Sequence, residues 1–453
     1  MIFYSKIIAR PHLFKVLKNS GWLVFDALLR GVTALVLGTW IARYLGPEQF
    51  GKLTYVLAYL MFFQVIANLG MDGIVVRDIV NLAAVTNATL EKYNYGSKHQ
   101  LKNKIEIGGI LGTVFALRFL VGFFCWILAA GGMWALYGWN SDYFILTAIA
   151  GGCLVFQAAN TIDLWFQSQN QSRETVLAKF CAFLVTNGLR AAFIFGELPL
   201  VSFAVAMFME FVITAVALGY AYKKMPCGSF WVFDIKRIGL NLIKESWPFL
   251  ISAISITMYM RIDQVMIANM LGEKELGLYS AAIILASMWY VVPTIACTSL
   301  LPTFSLSKSV NQSQYLERMV KLFKLLLILS VSISIFVYCI SGELINFFYG
   351  DQFKESEVVL RIIIFTTIPV FMGVGQGVWL INEKKSKNYL IQTISGGIVC
   401  VILNIILIPK YGLIGAASSL LFSQFTSAFL INAIFDKDLI KMQFGIYKNN
   451  SSK

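Results

Sequence analysis

The sequence predicts an all-α polytopic membrane protein, with twelve transmembrane helices arranged as two six-helix parallel repeats around a central cavity. Of its 453 residues, 58% are hydrophobic and only 13% are charged, and the mean hydropathy is +0.72. Because soluble domains carry about 25% charged residues, the solvent for most of this surface must be lipid. Long apolar segments and two internal repeats supply the number of helices and their division into halves.

The number of spans follows from segment length, because a helix needs about 20 apolar residues to cross the hydrocarbon core. Twelve segments meet this requirement: 21–42, 53–76, 107–136, 143–166, 174–195, 199–222, 246–267, 278–301, 319–341, 358–381, 388–408 and 413–435. Residues 1–20 have apolar runs that are too short, and too often interrupted by Lys and Arg, for a cleavable signal. They favour an amphipathic stretch on the membrane surface, with a plain basic tail as the alternative.

The orientation of the spans follows from the distribution of Lys and Arg between their connections. The connections on one side carry 26 of these residues, and those on the other side carry 5. Because cytosolic loops are enriched in Lys and Arg, this asymmetry predicts that both termini are cytosolic. Contact with anionic lipid accounts for the net charge of +13, so nucleic acid is not an expected partner.

Two sequence repeats relate the halves of the chain. Ile41–Leu53 aligns with Ile267–Tyr279 at an offset of 226, and Trp165–Phe180 aligns with Trp379–Ile394 at an offset of 214. Both pairs join spans that lie six apart, so each repeat holds six spans and the halves are parallel. This arrangement predicts a pseudo-two-fold axis along the membrane normal. Glycines shared by the first pair predict tight external turns after spans one and seven.

The repeats divide the chain into four predicted regions. Residues 1–222 form an N-terminal six-helix bundle with an amphipathic N-terminus, and residues 223–245 form a cytosolic linker. Residues 246–435 form a C-terminal six-helix bundle, and residues 436–453 form a cytosolic tail. The connections are too short on either side to hold a soluble catalytic domain.

Three stretches of sequence carry a family resemblance: NSGWLVFDALLRGVTALVLGTWIARYLGPEQFGKLTYVLAYL, LGMDGIVVRDI and LIPKYGLIGAASSLL. They resemble the polysaccharide-exporter family of O-antigen flippases (Wzx type), within the multidrug/oligosaccharidyl-lipid/polysaccharide exporter superfamily. RYLGPEQFG is the most specific piece, and the resemblance covers nearly the whole chain. It implies a flippase that moves undecaprenyl-pyrophosphate-linked oligosaccharide repeat units, of O-antigen or a similar surface polysaccharide, from the inner to the outer leaflet of the bacterial cytoplasmic (inner) membrane.

The resemblance implies a transporter of the lipopolysaccharide-biosynthesis type, which works by alternating access and is not an enzyme. Its expected partners are the lipid-linked oligosaccharide and membrane lipids, with the polysaccharide polymerase machinery as a further candidate. No cofactor is expected, and a coupling ion would be a proton or sodium. Two alternatives remain open: a cation-coupled multidrug antiporter of the same superfamily, and a polysaccharide polymerase or ligase.

Ionisable residues inside spans identify the candidate site, because they are costly in lipid and by default face the protein interior or a wet cavity. The candidate substrate-binding residues are Arg30, Arg118, Lys179, Arg190, Arg261 and Arg361. The candidate ion-coupling carboxylates are Asp26, Asp163 and Asp263. The excess of basic residues predicts an interior of positive charge, which suits a lipid pyrophosphate better than a cationic drug.

Helical spacing assigns some of these residues to faces. Asp26 and Arg30 are four residues apart, so they can form a local ion pair. Lys179 and Arg190 are eleven residues apart and lie about 20° from each other on a helical wheel. We interpret them as a ladder along the translocation path, with snorkelling to opposite interfaces as the alternative.

Arg261 and Asp263 are two residues apart, so they point to different faces of span seven. Asp263 continues a polar stripe that includes Ser255, and Arg261 lies with Thr257 and Gln264. This pattern predicts that Arg261 faces the substrate and Asp263 faces a neighbouring helix or a coupling site.

Polar residues at spacings of 3, 3 and 4 on span four, from Gln157 to Gln167, form a stripe that either lines a cavity or joins helices. The two His are far apart and the seven Cys lie singly, so the sequence predicts no metal site.

Overall fold

A computed structural model describes residues 11–93, 97–169, 171–224, 232–297, 300, 304, 312–383 and 385–446. All regular secondary structure in these residues is helical, which confirms the predicted all-α class. The first half contains α1 (Pro11–Asn68), α2 (Asp72–Tyr93), α3 (Ser97–Tyr137), α4 (Asp142–Ala150), α5 (Cys153–Phe156), α6 (Asn160–Ser168), α7 (Ser172–Phe195) and α8 (Leu200–Lys223). The second half contains α9 (Leu240–Met270), α10 (Glu273–Ser287), α11 (Gln312–Cys339), α12 (Ser341–Tyr349), α13 (Ser356–Ile363), α14 (Thr367–Asn382), α15 (Ser386–Phe425), α16 (Ile431–Phe435) and α17 (Lys437–Gln443).

Long apolar helices establish a multi-pass membrane protein. Within the described ranges, nine helices are long and apolar enough to span a membrane, or ten if a pair bent by 46° counts as one. Two of these segments have 52 and 49 residues, although about 20 suffice for one crossing. The backbone breaks inside both of them, at Gly46 and at Gly412. The ten segments overlap all twelve predicted spans, and the count of twelve itself stays a prediction.

The chain forms two compact units by Cα proximity. The first unit comprises Met1–Ala27 and Tyr59–Ile254, and the second unit comprises Leu28–Ala58 and Ser255–Lys453. The predicted boundaries at residues 222 and 246 separate sequence repeats, whereas these units are defined by the proximity of Cα atoms. The predicted division into repeats therefore stays a prediction. The central cavity also stays a prediction.

Part of the predicted linker is an ordered component of the first unit. The Val232 amide donates to the carbonyl of Gly108 at 3.3 Å, and the Asp234 amide donates to the Thr113 hydroxyl at 3.0 Å. A π-helical turn at Ile235–Gly239 follows and leads into α9. These contacts fix the start of α9 against α3.

Both sequence repeats occupy equivalent places in the structure. Gly46 and Gly272, which are 226 residues apart, have φ/ψ of 72°/170° and 108°/179°, a region open almost only to glycine. Each glycine precedes the start of a new helical arm, which confirms the two predicted tight turns. Trp165 and Trp379 are both 5% exposed, and each packs on a tyrosine ring.

The predicted tail begins with an ordered helix. Asp436 caps α17 through the amide of Leu439, and the side chains of Leu439 and Met442 are fully buried. They belong to the apolar core of the second unit, which also includes Met319 and Phe323 of α11. Residues 437–443 are therefore part of the folded second unit.

Candidate functional site

An ion pair joins two spanning helices of the first unit through predicted site residues. The ammonium of Lys179 on α7 donates to Oδ2 of Asp163 on α6. The two side chains are 27% and 12% exposed, so the pair is largely withdrawn from solvent. A tightened helical turn at Gln157–Ala159 leads into α6, and the Gln157 amide donates to the Gln64 carbonyl at 3.3 Å. The polar stripe of span four thus joins helices at this point.

A second ion pair lies on the same helix, three turns further on. Arg190 donates to Glu210 Oε2 at 2.8 Å and to Asn187 Oδ1 at 3.0 Å. Eleven residues of α-helix rise about 16 Å, so Lys179 and Arg190 are separated by roughly half the hydrocarbon thickness. Their carboxylate partners come from two different helices, α6 and α8.

Arg118 forms a clamp across a break between two helices. Its Nη2 donates to Asp72 Oδ1 at 2.6 Å and to the Asn68 carbonyl at 3.2 Å. These acceptors belong to the end of α1 and the start of α2, on either side of Leu69 and Gly70, both at positive φ. The arginine is 1% exposed, while the Asp72 side chain is 53% exposed. The contacts give Arg118 a structural role, and its predicted substrate role stays a prediction.

The second unit holds Arg261 and Asp263 just after the 46° bend between Met258 and Met260. Asp263 is fully buried, accepts a 2.5 Å hydrogen bond from Tyr279 of α10, and accepts the Gln264 amide at 2.8 Å. Arg261 is half-buried and donates to the Gln264 side chain at 3.4 Å. Asp263 thus bonds to a neighbouring helix through Tyr279, whereas the described bond of the Arg261 side chain stays within α9, at Gln264.

The remaining predicted residues are dispersed. Arg361 on α13 pairs with Glu357 at 2.6 Å, donates to the Ser341 hydroxyl at 2.9 Å, and is 44% exposed. Arg361 lies one helical turn from Glu357, near the start of span ten. Asp26 and Arg30 lie on α1, but their side chains fall outside the described residues, so their local pair stays a prediction.

The charges that the structure brings together in the first unit are balanced. Three cations, Arg118, Lys179 and Arg190, each meet one carboxylate. The expected positive interior is therefore not seen at these three positions. The candidate residues chosen from the sequence did not include Asp72, which lies at the start of α2 and neutralises Arg118. Arg261 differs, because its described hydrogen bond goes to the neutral side chain of Gln264 and Asp263 acts on it only through space.

Two participants were absent from the predicted site, Glu210 and Tyr279. Both belong to helices other than the one that carries their partner, at sequence separations of 20 and 16 residues. A single acidic residue within span six was the available signal for Glu210. Tyr279 gave no signal, because an aromatic residue at a span end is ordinary interfacial chemistry.

The sequence profile of the polysaccharide biosynthesis protein family matches residues 16–308 of this chain. The chain belongs to that family. A curated relative, the capsular polysaccharide biosynthesis protein CapF of Staphylococcus aureus, is 25% identical over 173 residues. That alignment covers 37% of this chain and 42% of the relative, so the chain matches less than half of its length.

Solved structures share the fold of this polysaccharide biosynthesis family member. An inward-facing multidrug resistance MATE transporter of the MOP superfamily has a TM-score of 0.70 at 14% identity, covering 92% of this chain and 96% of that one. The lipid II flippase MurJ, in an inward closed conformation, has a TM-score of 0.61 at 16% identity, covering 94% and 90%. A MOP transporter from Pyrococcus furiosus, described as having a binding pocket of reverse polarity, scores 0.62 at 12% identity, covering 95% and 96%. These likenesses show that the chain shares the fold of MATE transporters and MurJ, which confirms the predicted class of an all-α polytopic membrane protein.

Proposed function

We propose that this protein is a flippase that moves undecaprenyl-pyrophosphate-linked oligosaccharide repeat units, of O-antigen or a similar surface polysaccharide, across the bacterial cytoplasmic membrane. The sugars and pyrophosphate would pass through the protein by alternating access, while the polyprenyl tail stays in lipid. A protein pathway is needed because a charged headgroup cannot cross the hydrocarbon core of the membrane unaided. Family membership and the fold of a lipid II flippase support this proposal.

The observation that carries the proposal is the set of cations within spanning helices. Lys179 and Arg190 lie on one face of α7, and the described hydrogen bond of Arg261 goes to the neutral Gln264 side chain. Guanidinium and ammonium groups are the side chains that bind phosphate oxygens best. At Lys179 and Arg190 a pyrophosphate would compete with Asp163 and Glu210, so these cations can be held neutralised until the substrate arrives.

A cation-coupled multidrug antiporter is the second candidate, because a multidrug resistance transporter shares the fold of this chain. A site for cationic drugs needs carboxylates that are free to meet them. Asp163 and Glu210 each already contact a basic residue, and Asp263 is fully buried. The same two pairs also occupy Lys179 and Arg190, so the preference for an anionic substrate rests on Arg261, whose described hydrogen bond goes to a neutral amide. A polymerase or ligase activity has less support, so we propose a transporter and not an enzyme.

Ion coupling is part of the proposal, with a proton or sodium as the ion. Asp263 is the strongest candidate carboxylate in the second unit, because it is buried and its described partners are a tyrosine hydroxyl and a backbone amide, both neutral. Asp163 and Asp26 are further candidates. Each charge that crosses 100 mV contributes about 2.3 kcal/mol. Asp263→Asn is expected to remove the dependence of flipping on an imposed proton or sodium gradient.

The test of the main proposal is reconstitution in vesicles with a lipid-pyrophosphate-linked oligosaccharide. Headgroup accessibility in each leaflet is measured for wild type, Lys179→Ala, Arg190→Ala and Arg261→Ala. We expect each variant to lower the flipping rate about tenfold, equivalent to ~1.4 kcal/mol in the barrier. Lys321→Ala is the control, because that exposed lysine pairs locally with Glu317.

Wild-type rates in all three variants would overturn the role of these cations. Drug efflux without movement of the lipid-linked sugar would favour the antiporter. The proposal also places both termini in the cytosol of the inner membrane. The polysaccharide polymerase machinery is a candidate partner, which co-purification from the native membrane would test.

A further inference from the structure

The Arg118 clamp leaves part of a buried cation without a hydrogen-bond partner. A guanidinium carries N–H donors on all of its nitrogens, and Nη2 of Arg118 uses Asp72 Oδ1 and the Asn68 carbonyl as acceptors. Nε and Nη1 are buried, and neither has a hydrogen-bond partner in the part of the chain that the structure describes. Unpaired donors on a buried charge are costly, so their presence in a folded protein needs an explanation. An anion with more acceptor oxygens than Asp72 offers would supply it.

The carboxylate that Arg118 holds lies at the start of α2, where backbone amides also attract anions. The first amides of a helix have no acceptor within that helix, and the helix dipole favours negative charge there. α2 has 22 residues, and Met71, which precedes it, has no side-chain oxygen that could cap its amides. A Cβ atom on Gly73 would meet nothing within 4 Å, so there is open space beside this helix start.

The backbone between α1 and α2 is held in an unusual conformation. Leu69 and Gly70 have φ of 60° and 63°, and a positive φ is strained for leucine. A Cβ atom on Gly70 would lie 2.7 Å from the amide nitrogen of Leu250, so this break packs closely against α9. The break therefore fixes the start of α2 beside Arg118.

The break lies near the side of the membrane that the Lys and Arg distribution predicts to be cytosolic. Span two is predicted to end at residue 76, and the helix from Asp72 to that point rises about 6 Å. Arg77 follows at once, is 50% exposed, and pairs with Glu245 at 2.6 Å. The phosphates of a lipid in the inner leaflet lie in the headgroup region at this edge of the hydrocarbon core.

We propose that the break between α1 and α2 is a loading site for the pyrophosphate of the lipid-linked substrate, and that Asp72 is a built-in competitor that occupies the site until the substrate arrives. This inference rests on the proposed function. Phosphate oxygens replace Asp72 Oδ1, accept from the spare nitrogens of Arg118 and face the first amides of α2. Asp72 is not stranded when it leaves, because its side chain is 53% exposed and Asn68 donates to its other oxygen at 2.8 Å.

Binding of inorganic pyrophosphate to the purified protein in neutral detergent tests the site without any flipping. Asp72→Asn removes the competitor, so we expect about tenfold tighter binding than in the wild type, and Arg118→Met in the same background should abolish that gain. Glu317→Gln is the matched control, because it releases the exposed Lys321 from a 2.6 Å ion pair outside the site. We expect the control to bind like the wild type.

Two results would overturn the site: no gain in Asp72→Asn, or an equal gain in Glu317→Gln, which would show that any released cation collects the anion. If Asp72→Asn does not fold, Arg118→Met alone decides. It should bind pyrophosphate more weakly than the wild type, and unchanged binding would count against the site.

A second measurement identifies the source of the phosphate. A short-chain polyprenyl pyrophosphate should bind the wild type about tenfold more tightly than inorganic pyrophosphate or phosphatidylglycerol does, and Arg118→Met should remove that difference. Equal binding of phosphatidylglycerol would assign the site to bulk lipid, and equal binding of inorganic pyrophosphate would assign it to a free anion. Either result would overturn the loading role.

The same measurements separate this inference from the proposed function. Binding that depends on Arg118, in a protein that moves no lipid-linked sugar in vesicles, would count against the proposed function alone. Flipping by a protein whose pyrophosphate binding ignores Arg118 would count against the loading site alone.

Discussion

At the scale of single residues, Arg118 and Asp72 show how burial divides the energy of an ion pair unequally. The guanidinium is 1% exposed, whereas the carboxylate is 53% exposed. Two nitrogens of the Arg118 guanidinium, Nε and Nη1, are buried without a hydrogen-bond partner. Removal of Asp72 would therefore leave a buried cation that keeps only the Asn68 carbonyl, whereas removal of Arg118 leaves a carboxylate that solvent can reach.

This asymmetry predicts a specific order of stabilities. An uncompensated buried charge costs about 3–5 kcal/mol. Asp72→Asn is expected to destabilise the protein by less than this, because the Asp72 carboxylate is half exposed and its attraction to Arg118 is screened by solvent. Arg118→Met keeps most of the volume and removes the charge, so its effect should be smaller. The double variant should resemble Arg118→Met. Thermal unfolding in detergent checks the order, and equal losses for both single variants would contradict it.

At the scale of helices, a ring of buried amides ties together the end of the second unit. Gln376 of α14 donates to Gln392 of α15, Gln392 donates to Asn432 of α16 at 2.5 Å, and Asn432 donates back to Gln376 at 2.8 Å. Gln443 of α17 also reaches Gln376, at 3.3 Å. Neutral amides of this kind hold membrane helices together, because lipid offers no competing partner.

The ring predicts a large effect for one small change. Asn432→Ala takes the described acceptor from the buried Gln392 amide and leaves the Gln376 oxygen with Gln443 as its described donor, so we expect a loss of about 1–3 kcal/mol. Undocking of α17 should accompany it, seen as faster tryptic cleavage after Lys437 and Lys441. Gln352→Ala, on an exposed residue, is the control. A melting temperature equal to that of the wild type would show that the ring carries little energy.

The sequence was a good guide to elements and a poor guide to their partners. Gly46 and Gly272 were found because a positive φ restricts the residue type at that position, so the requirement is local. The faces of Lys179 and Arg190 followed from helical periodicity for the same reason. Asp163 and Glu210 were not assigned as their partners, because the choice between neighbouring helices depends on how those helices rotate and pack. No local pattern encodes that choice.

At the scale of the whole molecule, the repeats keep a symmetric backbone but differ in chemistry. The glycine turns at 46 and 272 and the helix starts at Ser172 and Ser386 are shared. Alignment at an offset of 214 pairs Arg190, which is ion-paired, with Asn404, which is fully buried. The turns and helix starts are therefore shared by the two repeats, whereas the charged position at 190 is not.

The topology of the whole chain makes the last prediction, because one span separates Lys274 from Lys321. Lys274 and Lys321 are 53% and 72% exposed, so cysteine at either position can be labelled without disturbing a core. In a chain without native cysteines, Lys274→Cys should react with an impermeant maleimide added to intact cells. Lys321→Cys should react only after permeabilisation, since cytosolic connections are enriched in Lys and Arg. Labelling of both cysteines from outside would mean that the helix starting at Glu273 does not cross the membrane. Each repeat would then not hold an even number of spans, and the prediction of parallel halves would be wrong.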